Sequence, residues 1–177
     1  FTTEVLDISG LMVIFPIMPD ILQYVGKFSV SDAAIWGGFL YASYAMTQFL
    51  FSPIIGNLSD SIGRRPIILI SLFFMFLDYL ILGFANSLLI FIVGRMIGGI
   101  AGGTVPTAMA YLADVSNSED KAKNFGLIGA AFGIGFVVGP FIGGVLGELN
   151  FRLPFFFSAA LSLVTFLLCY FFLPESL

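Results

Sequence analysis

Three ionisable residues stand inside long apolar runs of this chain: Asp7, Asp78 and Arg95. A charge near the middle of a bilayer costs at least ~2.5–3.5 kcal/mol on insertion scales, so such residues face a bundle interior or a water-filled cavity. A carboxyl in that setting can take up and release a proton, or hold a cationic ligand. Asp78 has apolar neighbours from Phe73 to Leu77 and from Leu80 to Leu82, with no basic residue close to it in sequence. Asp7 lies near the end of its run, where it could act as an interfacial cap. Pro16 and Pro19 nevertheless mark that segment as irregular, as expected where backbone lines a cavity. Arg95 shares a helical face with Gly98, Gly99 and Gly102, which points it into a close helix contact. There it serves either as a clamp on backbone carbonyls or as part of a transport path. Gln48, beside Phe49, could bond a solute or link two helices.

A second group is the run from Gly56 to Arg65, which holds Gly56, Asp60, Gly63, Arg64 and Arg65 between two apolar stretches. It reads as a tight loop. The glycines let the chain turn back at once, Asp60 is placed to pair with a basic side chain or a helix end, and the adjacent arginines hold the loop on the cytoplasmic side.

The elements that position these residues follow from composition. The chain has 177 residues, 59% hydrophobic and 10% charged, against about 25% charged in a soluble domain. Its solvent is therefore mostly lipid. A spanning helix needs roughly 20 apolar residues, and six segments qualify, at about 5–24, 33–55, 66–85, 88–113, 125–147 and 153–173. Ser29, Ser31 and Asp32 supply capping chemistry for the second. Asn86-Ser87 is a very short turn, and Asn117, Ser118 and Glu119 suit the opening of the fifth span. No signal peptide is read before Phe1, and the chain is expected to be trimmed at its start. The loops after spans two and four carry Arg64, Arg65, Lys121 and Lys123, while those after spans one, three and five carry only Lys27 and Arg152. This bias places the even loops, and hence both ends of the segment, in the cytoplasm.

Several function classes drop out. A net charge of −4 with Lys plus Arg at 7 lacks the basic face that nucleic acid requires. Cys169 is the only cysteine, so no intrachain disulfide forms. There is no histidine, which removes His-ligated metal sites and serine–histidine catalysis. No nucleophile–base pair supports a membrane-embedded enzyme. A non-transporting scaffold would have no use for Asp7 and Asp78 at lipid depth. In the fifth span Gly135, Gly139, Gly143 and Gly147 repeat every four residues as one stripe, which allows close helix approach in lipid. Gly144, Pro140 and Pro106 add sites of bending.

Taken in order, these motifs resemble the major facilitator superfamily. The run from Gly56 to Arg65 resembles the signature loop between its second and third helices. Arg95 with Gly99 and Gly103 resembles its fourth-helix arginine motif. Gly135, Gly139, Pro140, Gly143 and Gly144 resemble the fifth-helix motif of the drug/proton antiporter branch. Leu6-Asp7-Ile8-Ser9-Gly10, Met46-Thr47-Gln48-Phe49, Asp78-Tyr79 and Pro154-Phe155-Phe156 extend the similarity to the first half of bacterial tetracycline/proton antiporters, over essentially the whole chain. The resemblance implies an all-α membrane fold, with residues 1–177 forming the N-terminal six-helix domain of a transporter of two such halves (a 3+3 pseudo-repeat).

It further implies that Asp60, Arg64 and Asp114 form a cytoplasmic charge network stabilising the outward-facing state. Asp7, Asp78, Arg95 and Gln48 would line the cavity and couple proton movement to export. The implied activity is proton-driven efflux of a tetracycline-like or other drug, one candidate form being a metal–drug chelate, with a uniporter or importer of another solute as the alternative. No cofactor is implied. The implied partners are the lipid bilayer of the bacterial inner membrane, protons, the drug and the C-terminal half of the same transporter. Two positions depart from the pattern: Ser61 stands where the loop commonly has a basic residue, and Gly98 where a polar residue often follows the arginine.

Overall fold

The structure is a computed structural model that describes residues 2–102, 104–117 and 119–175, with the backbone alone at 2–7 and 104. Among these residues it is helical throughout, without strands. The helices are α1 (Thr2–Val13), α2 (Met18–Gly26), α3 (Val30–Ile62), α4 (Arg64–Phe84), α5 (Leu88–Ala101), α6 (Thr104–Val115), α7 (Lys121–Leu149) and α8 (Leu153–Phe172), with a 3-10 turn at Phe15–Ile17. Five segments are long and apolar enough to cross a membrane, at 8–26, 64–84, 88–115, 121–149 and 153–172.

The 33-residue α3 falls outside that set because it carries Tyr41, Ser43, Tyr44, Thr47, Gln48 and Ser52 along its middle. These polar groups are accommodated internally. The Ser43 hydroxyl donates to the Leu40 carbonyl at 2.8 Å and the Thr47 hydroxyl to that of Ser43 at 2.9 Å. At its start the Ser29 hydroxyl accepts from the Asp32 amide at 3.1 Å, the helix cap its sequence suggests.

The expected loop from Gly56 to Arg65 is not a loop. Residues 56–62 continue α3, and Gly63 alone separates it from α4. Gly63 has φ +113°, a conformation L side chains rarely adopt, so one residue makes the whole turn. Gly56 is helical and takes no part in it. The fourth predicted span is likewise two helices, α5 ending at Ala101 and α6 starting at Thr104. The first span is divided by Pro16 and Pro19, which lack the amide a continuous helix needs. The fifth begins at Lys121, after Asn117 accepts from the amides of Asp120 and Lys121.

The most extensive contacts join α1 to α7, α4 to α8 and α3 to α5. The stripe predicted on α7 meets α1 and the 3-10 turn after it: a methyl at Gly135, Gly139, Gly143 or Gly147 would collide with Ile8, Met12, Val13 or Ile17 respectively. Gly143 is pressed against the Val13 backbone itself, where no side chain can give way. Gly144 faces open space and is not part of this contact. Outside, Phe49, Val137, Phe141, Phe171 and Phe172 are each more than 70% exposed, the inverse of a water-soluble surface and consistent with a lipid-facing one.

Candidate functional site

Asp78 and Arg95 meet. Arg95 Nη2 donates to Asp78 Oδ2 in an ion pair whose side chains are 0% and 2% exposed. Asp78 has no basic neighbour in sequence, yet the spacing of the two residues carries a signal. The α4–α5 turn centres on Asn86-Ser87, and Asp78 and Arg95 stand at equal distances before and after it. Two antiparallel helices rising at the same rate per residue must bring such positions to one depth. Room for the carboxylate comes from missing side chains on α5. A Cβ at Gly98 would lie 2.8 Å from Asp78 Cγ, and one at Gly94 would lie 3.1 Å from Asp78 Oδ1. The absent polar residue at 98 is thus where the acid sits. The guanidinium also stands 5.4 Å from the centre of the Tyr44 ring, a cation–π distance. The pair is not saturated: Asp78 Oδ1 and Arg95 Nε have no hydrogen-bond partner among the described residues.

Beside the pair lies a cavity of about 310 Å³ bounded by α1, α3, α4, α6 and α7, with Leu11, Tyr44, Gln48, Met75, Pro106 and Phe132 on its wall. Asp78 and Arg95 are not among its lining residues; both are buried, with Arg95 next to Tyr44 on the wall. Gln48 is on the wall, and its amide nitrogen donates to the Gly102 carbonyl at 2.8 Å, which uses one of its two N–H groups. The side chain of Asp7 lies outside the described residues.

The second cluster gathers at the Gly63 end of the bundle. Arg64 Nη1 pairs with Asp60, and Arg64 Nε lies 3.0 Å from Asp114 Oδ2. Arg64 Nη1 also donates to the buried Ser59 hydroxyl at 2.8 Å. The three residues expected to form a network are therefore in contact. Arg65 leaves it: its Nη2 donates to the Tyr170 carbonyl on α8 at 2.7 Å, and its guanidinium carbon stands 5.8 Å from the Tyr170 ring centre. Glu175 follows the end of α8. Its Oε1 accepts from the amides of Arg64 and Arg65 at 2.9 and 3.3 Å. The first turn of α4 holds two cations and no acid, the reverse of what a helix N-terminus favours, and Glu175 supplies the missing negative charge.

A family model for the Major Facilitator Superfamily matches residues 1–177. The chain is 41% identical over 172 residues to the class B tetracycline resistance protein of Escherichia coli, covering 97% of this chain and 42% of that protein. It is 35% identical over 160 residues to the quinolone resistance protein NorA of Staphylococcus aureus, covering 90% of this chain and 40% of that protein. Among solved structures it is similar to the human organic anion transporter MFSD10, with a TM-score of 0.87 at 27% identity, covering 99% of this chain and 46% of that one. It spans about two fifths of the length of these curated relatives.

Proposed function

The chain belongs to the Major Facilitator Superfamily, and on that premise we propose that it forms part of a proton-coupled drug exporter working by alternating access. Its family makes it a multi-pass membrane transporter and not an enzyme. The observation that carries the finer reading is the buried Asp78–Arg95 pair, with one carboxylate oxygen unengaged among the described residues. A proton added to Asp78 removes its negative charge and loosens its hold on Arg95. Arg95 then shifts its weight onto its other neighbour, the Tyr44 ring at the cavity wall. Proton uptake is in this way converted into a change of wall geometry. Related proteins that confer tetracycline and quinolone resistance favour a drug as the solute, a metal–drug chelate included, with no cofactor beyond the proton gradient.

The remaining assignments follow from the same reading. Arg64, with Asp60 and Asp114, ties the ends of α3, α4 and α6 on the cytoplasmic side and must part when the bundle rocks. The α7 stripe at Gly135, Gly139 and Gly143 seals α1 against leak, with Pro140 permitting bending. Asp7 belongs to the proton path. The cavity is half a solute site, completed by a second helical half, since such sites form between halves near the midplane. The membrane is the bacterial inner membrane, with both ends of this segment cytoplasmic.

The test is transport by the full-length protein in proteoliposomes with an imposed pH gradient, using a panel that includes tetracycline and quinolones. Export of at least one drug is expected to require the gradient. Asp78→Asn is expected to abolish it while the protein still accumulates in the membrane. Gradient-independent export, or export undiminished by Asp78→Asn, overturns the reading.

A further inference from the structure

Proline has no amide to give the carbonyl four residues before it. Pro19 stands in the first turn of α2 and Pro106 in the first turn of α6, so neither supplies a backbone donor to the carbonyl of Phe15 or of Gly102. Both carbonyls are captured by side chains of one helix. The Tyr41 hydroxyl donates to the Phe15 carbonyl at 3.2 Å, and the Gln48 amide nitrogen donates to the Gly102 carbonyl at 2.8 Å. Tyr41 and Gln48 are seven residues apart on α3, about two turns, and so project from the same face.

The contacts around both bonds are close. The Tyr41 and Phe15 ring centres are 4.8 Å apart, and a Cβ at Gly102 would lie 2.8 Å from Gln48 Nε2. This is not how the protein treats every proline. Pro16, Pro53 and Pro140 free the carbonyls of Met12, Phe49 and Phe136, and no side-chain donor reaches any of these among the described residues. The two captured carbonyls are the ones at the breaks of the first and fourth spans, α1–α2 and α5–α6, and both spans pack on α3.

We propose that Tyr41 and Gln48 are positioning residues that replace the backbone donors removed by Pro19 and Pro106. They hold the two broken spans at fixed bends against α3. Because Gln48, Gly102 and Pro106 share the cavity wall, the Gln48 bond fixes the shape of that wall. Gln48 thus acts on transport through Gly102 and not by binding solute. Only the transport readout below rests on the exporter reading.

If Gln48 stands in for a backbone donor, Pro106→Ala, which restores an amide four residues after Gly102, makes the Gln48 bond redundant. The full-length protein is therefore purified as wild type, Gln48→Leu, Pro106→Ala and the double variant, and its thermal unfolding followed. The fall in Tm caused by Gln48→Leu is expected to shrink by half or more in the Pro106→Ala background; an equal fall in both backgrounds overturns the proposal. In transport, Gln48→Leu is expected to lower Vmax severalfold with KM within twofold, and the double variant to match Pro106→Ala alone. A KM raised tenfold regardless of residue 106 would mean that Gln48 binds solute and would overturn it equally. Should either Gln48→Leu or Pro106→Ala fail to accumulate, the same unfolding cycle is run with Tyr41→Phe, which removes only the hydroxyl, and Pro19→Ala, and is read by the same rule. A wild type that exports nothing sinks the exporter reading and leaves the unfolding cycle to decide this one.

Discussion

The two arginine centres use the same chemistry in opposite surroundings. Arg64 is 12% exposed and contacts two acids that are themselves 58% and 29% exposed, together with the Ser59 hydroxyl. Arg95 is 2% exposed and, among the described residues, has one acid partner at 0% and keeps one N–H without a partner. The outer centre is redundant and wet, so losing one member leaves a charge that water can solvate, and exposed pairs contribute only about 0–1 kcal/mol. The inner centre is neither. Desolvating two charges can exceed their mutual attraction, so a buried pair is weak evidence for stability, while breaking it by removing one partner is severe. Water can replace a lost partner at the outer centre, whereas burial denies that to the inner pair.

Removing one inner charge should therefore give the largest effect in the molecule. Arg95→Met leaves Asp78 buried without a counter-charge and is expected to cost about 3–5 kcal/mol of stability. Adding Asp78→Asn removes the orphaned charge and should return more than half of that loss in thermal unfolding, while export remains absent. If the double variant is no more stable than Arg95→Met, the two charges are not coupled in the way their contact implies. Arg64→Ala, measured alongside, should cost no more than about 1 kcal/mol, and added salt should shrink the difference. A larger, salt-insensitive loss would erase the distinction between the two centres.

An intermediate effect is expected at Gly98. Its missing Cβ is the space the Asp78 carboxylate occupies. Asp78 sits on a packed helix with Met75, Tyr79 and Leu82 buried around it and has little room to retreat. Gly98→Ala should cost about 1–3 kcal/mol, the usual range for overpacking a tight site. An unchanged Tm would show that the carboxylate can move aside and that the pair is looser than its burial suggests.

The helical membrane bundle, the burial of Asp78 and Arg95 and the α7 stripe were legible in the sequence because each is a matter of composition or of helical period. What failed needed tertiary information. Gly56 and Gly63 look equivalent in a run of turn-like residues, but which glycine takes a positive φ is decided by where α3 and α4 must meet. Glu175 reads as a residue after a helix; its position over the α4 amides depends on α8 returning beside α4. The Asp78–Arg95 contact was recoverable from symmetry about Asn86-Ser87, a relation between two spans that inspecting each span alone does not reveal.

The smallest expected effect also tests the correction at Gly56. Were the residue part of a turn, a side chain there would strain the backbone and disturb the nearby Arg64 cluster. The structure instead places it inside α3, where an added Cβ meets nothing within 4 Å, and its carbonyl still accepts from the Ser59 hydroxyl at 2.8 Å. Alanine is favoured over glycine in a helix interior by roughly 0.5–1 kcal/mol, so Gly56→Ala should raise stability slightly and leave transport unaltered. Gly63→Ala should do the reverse, since φ +113° is strained for alanine and a Cβ there would lie 2.6 Å from Glu175 Oε2. A Gly56→Ala protein that loses transport without losing stability would show that α3 bends at this point during the cycle, and that the outer arginine centre depends on a flexible helix end as well as on its charges.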